Sequence, residues 1–280
     1  MKLLSFEGPG GASWGIVRDG GIVDCGKRLG DRFADLRSVI AAGATAELGK
    51  LAAVPADLRL DDVKLRLPVP APGRILCVGL NYKTHVAEVG RSMPEHPSLF
   101  LRQIGSLVAQ GEPMRRPKAS DNYDFEGELA LVIGKAGRHI PAAEALAHIA
   151  GYTCFNDGSV RDFQKHSVTA GKNFEASGAM GPWLVTADEI PDPSRLTLET
   201  RLNGDVVQHA ATDQLIYSIP TIIAYASTVM VLRPGDVIAT GTPEGVGAGR
   251  SPPLWMKPGD VIEVTISGIG TLRNPIAAET

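Results

Sequence analysis

Residues 124–134 of this 280-residue chain read DFEGELALVIG, and three of the first five side chains, Asp124, Glu126 and Glu128, are carboxylates. The run passes straight into Leu129-Ala130-Leu131-Val132-Ile133, a continuous apolar stretch of the kind that forms a buried strand. Unpaired charge is costly to bury, so carboxylates there need protonation, cationic partners or a metal. Strand side chains alternate, so Glu126 and Glu128 project to one side, and Asp124 joins them if the extended geometry reaches back that far. An E-x-E on a solvent-exposed edge is the commoner circumstance. Entry into the interior shifts the balance toward a site.

Residues 151–164, GYTCFNDGSVRDFQ, supply a further carboxylate. A β-type run delivers Asp157 to a Gly-Ser turn before a helix, where it serves either as a helix cap or, with Ser159 capping instead, as a free ligand. Glu126, Glu128 and Asp157, with no Cys or His cluster beside them, suit a hard dication, Mg²⁺ or Mn²⁺. In NYKTHVAEVG (residues 81–90), His85 and Glu88 are three apart on a short helix and share a face. A carboxylate on one imidazole nitrogen raises the basicity of the other, which suits a general base, although surface His–Glu pairs are common. Lys172 in TAGKNF is placed to meet an anionic substrate or an oxyanion, or is merely solvated. The loop ATGTPEGVGAG (residues 239–249) offers hydroxyl and backbone donors to a carboxylate, and it lacks the spacing of nucleotide-binding loops.

These residues need a scaffold of strands. Gly 32, Pro 20 and only 5% aromatic residues point to many short strands and turns rather than a helical bundle. Residues 15–24, GIVRDGGIVD, read as a hairpin, residues 33–43 as a helix, and the proline-rich residues 67–74 as a linker. The expected organisation is a small N-terminal α/β domain (1–66) and a β-rich α+β catalytic domain (67–280). Strands are predicted at 74–78, 98–101, 128–133, 196–202, 237–240 and 261–266, with helices near 142–149, 160–165 and 220–231. Pro-Gly-Asp-Val-Ile occurs twice, at 234–238 and 258–262, each time as a turn leading into a strand. A net charge of −3 gives no reason to expect nucleic acid or an anionic membrane as partner. The three cysteines lack metal-binding spacing and fit a reducing, cytoplasmic setting.

Taken together, VGLNYKTHVAE, PSLFLR, DFEGELALVIGK, GYTCFNDGSVRDFQ, GKNF, LNGDVVQ, LRPGDVIATGTPEGVG and GDVIEVTISGIGTLRNP resemble the fumarylacetoacetate hydrolase family, in family order. The resemblance implies a β-sandwich roll and a homodimer. It implies Glu126, Glu128 and Asp157 as Mg²⁺ or Mn²⁺ ligands, His85 and Glu88 as the water-activating pair, and Lys172 as the active-site lysine. Thr242 matches a substrate-contacting threonine. Arg102 stands where many relatives carry lysine, which leaves it anion recognition rather than proton transfer.

The implied activity is hydrolysis of the C3–C4 bond of an acylpyruvate, such as maleylpyruvate or fumarylpyruvate from aromatic-ring breakdown, to pyruvate and a carboxylic acid. Decarboxylation or tautomerisation of a 2-oxo dicarboxylate such as oxaloacetate, isomerisation of a hydroxyheptadienedioate, and cleavage of a 2,4-dioxo sugar acid are the alternatives within the family. A non-catalytic oxo-acid-binding protein is the alternative outside it.

Overall fold

The computed structural model describes residues 1–280. Two sheets and a short ribbon carry the chain, and the strand Gly127–Ile133 lies at their centre. All seven of its residues are buried. Leu129, Leu131 and Ile133 face one core, shared with Leu198, Leu202, Ile262 and Val264 of the second sheet. Ala130 and Val132 face another, shared with Leu3, Trp14 and Val23. An uninterrupted apolar run is the pattern expected of a strand covered on both faces.

The larger, twelve-stranded sheet places Gly127–Ile133 between Ile149–Asn156 and Val237–Ala239. Beyond Val237–Ala239 come Ile75–Gly79, in parallel, and then Ser98–Arg102 at the edge. The five-stranded sheet runs Asp205–Ala211, Thr197–Leu202, Val261–Ile266, Gly270–Ala278 and Met114–Arg116. Its strand Val261–Ile266 buries every second residue, so one face packs on the core and the other meets solvent. A separate ribbon pairs Tyr123–Asp124 with Ser159–Val160. The architecture is the β-rich α+β sandwich expected.

The N-terminal segment forms the expected hairpin, Gly11–Arg18 with Gly21–Asp24, around Asp19 and Gly20. Its helix, Leu36–Ala41, is shorter than expected because Asp35 caps it: the Asp35 carboxylate accepts from the Ser38 N–H. This segment does not stand apart. Lys2–Gly8 pairs antiparallel with Gly178–Thr186, extending the large sheet, and Leu3 and Trp14 pack in the same core as Ala130 and Val132. The boundary expected at 66/67 therefore separates two stretches that share a sheet and a core. No helix is long and apolar enough to cross a membrane.

Candidate active site

Strand register assembles the carboxylates. Gly127 lies opposite Asn156, so Asp157, the residue after Asn156, stands beside Glu126 and Glu128. Two further bonds fix this corner: Asp157 N–H donates to the Glu126 carbonyl at 2.8 Å, and Glu126 N–H donates to the Asn156 side chain at 3.1 Å. Oxygens of Glu126, Glu128 and Asp157 lie within 4.8 Å of one another, and all three residues are buried. Asp124 belongs elsewhere. The chain leaves the ribbon between Asp124 and Gly127, and the Asp124 carboxylate accepts from Arg161 Nε at 2.7 Å and from the Gly247 and Ala248 N–H groups.

Three cations surround the cluster. Lys172 Nζ sits 2.5 Å from both Glu126 Oε2 and Asp157 Oδ2. Arg102 Nη1 is 2.6 Å from Asp157 Oδ1, and Arg161 Nη1 is 2.7 Å from Glu126 Oε1. Glu128 has no cationic partner and accepts one backbone bond, from Gly241 N–H at 2.8 Å. Against Lys172, Arg102 and Arg161 stand Asp124, Glu126, Glu128 and Asp157, which leaves one negative charge in excess. Burial pushes the Glu128 carboxyl well above the ordinary carboxylate range, and the charges of Asp157 and Glu126 push it further. Burial acts the same way on Glu126, but Lys172 and Arg161 reverse it and hold that carboxyl at about 2. An all-oxygen donor set with surplus negative charge fits a hard divalent cation.

The second wall is the short helix Lys83–Glu88. His85 Nδ1 lies 3.1 Å from Glu88 Oε2, and the other oxygen of Glu88 accepts from Gly245 N–H at 2.8 Å. His85 is 5% exposed and close enough to Glu126 for an imidazolium charge to help hold that carboxyl down. His85 thus lies within electrostatic reach of the cluster.

The glycine-rich loop joins both walls. Its N–H groups at Gly241, Gly245, Gly247 and Ala248 go to Glu128, Glu88 and Asp124. The expected donors are present, but the protein's own carboxylates take them. Glycine is needed at 247, where a Cβ would sit 1.8 Å from the Leu254 carbonyl oxygen.

Two residues expected to contact substrate are already bonded within the protein. The Arg102 side chain is fully buried and donates to Asp157, Gly158, Ser106 and Ser177, so it holds a carboxylate of the cluster rather than reaching outward. The Thr242 hydroxyl donates to the Gly127 carbonyl at 3.0 Å and accepts from Gln208 at 2.8 Å, which leaves it braced within the protein. Lys172 is in the site, yet it bridges two carboxylates instead of standing free. Arg161 and Gln208 were not anticipated. Arg161 was hidden in an ordinary helix start, and Gln208 in a strand distant in sequence.

Residues 74–277 match the family model described as fumarylacetoacetate (FAA) hydrolase C-terminal. The chain belongs to the fumarylacetoacetate hydrolase family. A mitochondrial oxaloacetate tautomerase from Xenopus laevis is 36% identical, over 99% of this chain and 90% of that protein. The oxaloacetate tautomerase YisK from Bacillus subtilis is 42% identical, over 78% of this chain and 74% of its own length. Among solved structures of the family, maleylpyruvate hydrolase from Sphingobium sp. SYK-6, in complex with manganese(II) and pyruvate, superimposes with a TM-score of 0.84. It is 30% identical, and each chain is covered in full. This chain is accordingly an enzyme of that family, with an acidic triad suited to a divalent cation.

Proposed function

We propose that the protein catalyses the enol–keto tautomerisation of oxaloacetate or a similar 2-oxo dicarboxylate. The observation that carries this is the His85–Glu88 hydrogen bond, joined through the glycine-rich loop to a carboxylate cluster with surplus negative charge. The relatives named as oxaloacetate tautomerases, 36% and 42% identical, move this reaction ahead of the hydrolysis favoured from sequence.

A dication held by Glu126, Glu128 and Asp157 would polarise the 2-oxo group and take up enolate charge. Everything else falls to side chains. Glu88, anchored by Gly245, orients the His85 ring through Nδ1 and leaves Nε2 to move a proton at C3. In the enol-to-keto direction the Nε2 proton of protonated His85 passes to C3 and the enol hydroxyl gives its proton to solvent. His85 takes one back from solvent, so the enzyme ends as it began. Arg102 and Arg161 hold Asp157 and Glu126 in place.

Acylpyruvate hydrolysis is the second reading. The same pair is able to take a proton from water, and the maleylpyruvate hydrolase neighbour favours it. Metal-stripped protein, with and without Mn²⁺ or Mg²⁺, separates the two. Metal-dependent loss of oxaloacetate enol absorbance without carbon dioxide or pyruvate supports tautomerisation. Pyruvate plus a carboxylic acid from an acylpyruvate, with oxaloacetate untouched, would replace it with hydrolysis. The proposal includes a cytoplasmic homodimer: the three cysteines are free and buried, as suits a reducing compartment, and light scattering should return twice the chain mass.

A further inference from the structure

Gly127 lies between two of the cluster carboxylates; its N–H is held from the other sheet and its carbonyl from the glycine-rich loop. Its N–H donates to Gln208 Oε1 at 2.9 Å, and its carbonyl accepts from the Thr242 hydroxyl at 3.0 Å. Gln208 Nε2 closes the ring by donating to Thr242 Oγ1 at 2.8 Å and to the Pro243 carbonyl at 3.0 Å. A Cβ on Gly127 would fall 2.1 Å from Thr200 Oγ1, so the two sheets approach here as closely as a backbone allows. Three residues after Thr242, the Gly245 N–H reaches Glu88. Arg250 ties that turn to the strand carrying Gln208, donating to the Gly245 carbonyl at 3.1 Å and to the Val207 carbonyl at 2.7 Å.

We propose that Gln208 is a positioning residue that holds the cation-binding wall and the His85–Glu88 wall in register. The inference rests on the reading of that pair as the acid–base group. Gln208 is 2% exposed and makes no hydrogen bond to His85 or the cluster carboxylates; it acts through Gly127 on one side and residues 242–243 on the other. A carboxamide suits the task because it accepts and donates without charge. Glutamate would accept only and add a further buried carboxylate to a site already in negative excess. Methionine fills the volume but leaves the Gly127 N–H without its partner and removes the bonds to residues 242–243.

The test compares Gln208→Met, Thr242→Val, Thr242→Ser and the double variant Gln208→Met/Thr242→Val with the wild type. The readouts are Mn²⁺ affinity of the substrate-free protein, kcat and KM for oxaloacetate enol–keto conversion, and thermal unfolding. Gln208→Met should lower kcat about 10–100-fold and weaken Mn²⁺ binding several-fold, the usual range for outer groups that orient ligands. KM should change by less than about threefold, because the bonds lost do not contact substrate. Thr242→Val should give the same pattern and Thr242→Ser should restore it. The double variant should cost little more than the worse single one, as expected for members of one network. Should Gln208→Met not fold, the Thr242 pair carries the test.

Mn²⁺ affinity and kcat both within about twofold of wild type in Gln208→Met, or additive losses in the double variant, would overturn the proposal. Glu88→Gln keeps the two questions apart. Wild-type turnover in Glu88→Gln removes the acid–base reading. Lost turnover there, with Gln208→Met unimpaired, removes only the positioning role. If no substrate turns over, the Mn²⁺ affinities alone decide.

Discussion

The two walls of the site are built by opposite means. The carboxylate wall stands on the central strand, Gly127–Ile133, and its neighbour Ile149–Asn156, buried on both faces and bonded along their length. Two of its three carboxylates, Glu126 and Asp157, are held by charges, those of Lys172, Arg102 and Arg161. The acid–base wall is a six-residue helix, Lys83–Glu88, whose Glu88 is held by a backbone N–H. A cation must be met by oxygens already in place, because a rigid cluster cannot be assembled afresh for each ion. A proton-transfer group needs a fixed hydrogen bond and room beside the substrate. Rigid charge and a mounted imidazole are two solutions to two different tasks.

If that division holds, the walls fail differently. Replacing Glu128 by Ala should abolish Mn²⁺ binding and bring turnover below detection, measured by paramagnetic resonance of free Mn²⁺ alongside the oxaloacetate assay. Replacing His85 by Ala should cost about 10²–10⁴-fold in kcat, the range of a lost general base, while the Mn²⁺ affinity stays within about twofold. An equal loss of metal in both variants would dissolve the distinction between the walls.

Arg102→Lys is expected to act on the first wall more gently. A lysine keeps the charge but cannot reach Asp157, Gly158, Ser106 and Ser177 together, so Mn²⁺ affinity should weaken about 10–100-fold in titration calorimetry.

The smallest effect concerns pH. Metal-free protein binds a proton on Glu128 more tightly than the unfolded chain does, because burial and two neighbouring carboxylates raise its folded value. The resulting stability is present below the ordinary value of 4.5 and is lost as pH rises from there through the raised one. Glu126 works in the opposite sense: its stability is present above 4.5 and is lost as pH falls toward about 2. Thermal scans of metal-free protein should show the first loss, and Glu128→Gln should remove it. An unchanged pH profile in that variant would place the surplus charge elsewhere.

Much of the scaffold was legible because its signals are local. The run Leu129–Ile133 has no reading other than a buried segment, and Val261–Ile266 shows the alternation of a half-buried strand. The repeated Pro-Gly-Asp-Val-Ile shows the limit of such signals. Both copies make the same turn, with Asp236 accepting from Arg233 N–H and Asp260 from Lys257 N–H. One then enters the large sheet and leads to the glycine loop, while the other enters the second sheet. The long strand Gly178–Thr186 was not read, because Gly178, Ala179, Gly181 and Pro182 carry little strand propensity and are kept in place by neighbours distant in sequence.

The site was legible in its residue types and not in its bonding. Glu126, Glu128 and Asp157 come together as their spacing and the family resemblance implied. That Arg102 and Thr242 turn inward follows from side-chain partners 55 and 115 residues away, which no local pattern carries. Gln208 lies 81 residues from Gly127 and 34 from Thr242, the residues it braces.

The most direct test is stopped-flow decay of the oxaloacetate enol with metal-stripped wild type, His85→Ala and Glu126→Ala, each with and without saturating Mn²⁺. The account requires Mn²⁺ to accelerate the wild type, to bind His85→Ala without restoring its rate, and to do neither for Glu126→Ala. Acceleration by metal-free wild type equal to that with Mn²⁺, or full activity in His85→Ala, would contradict it.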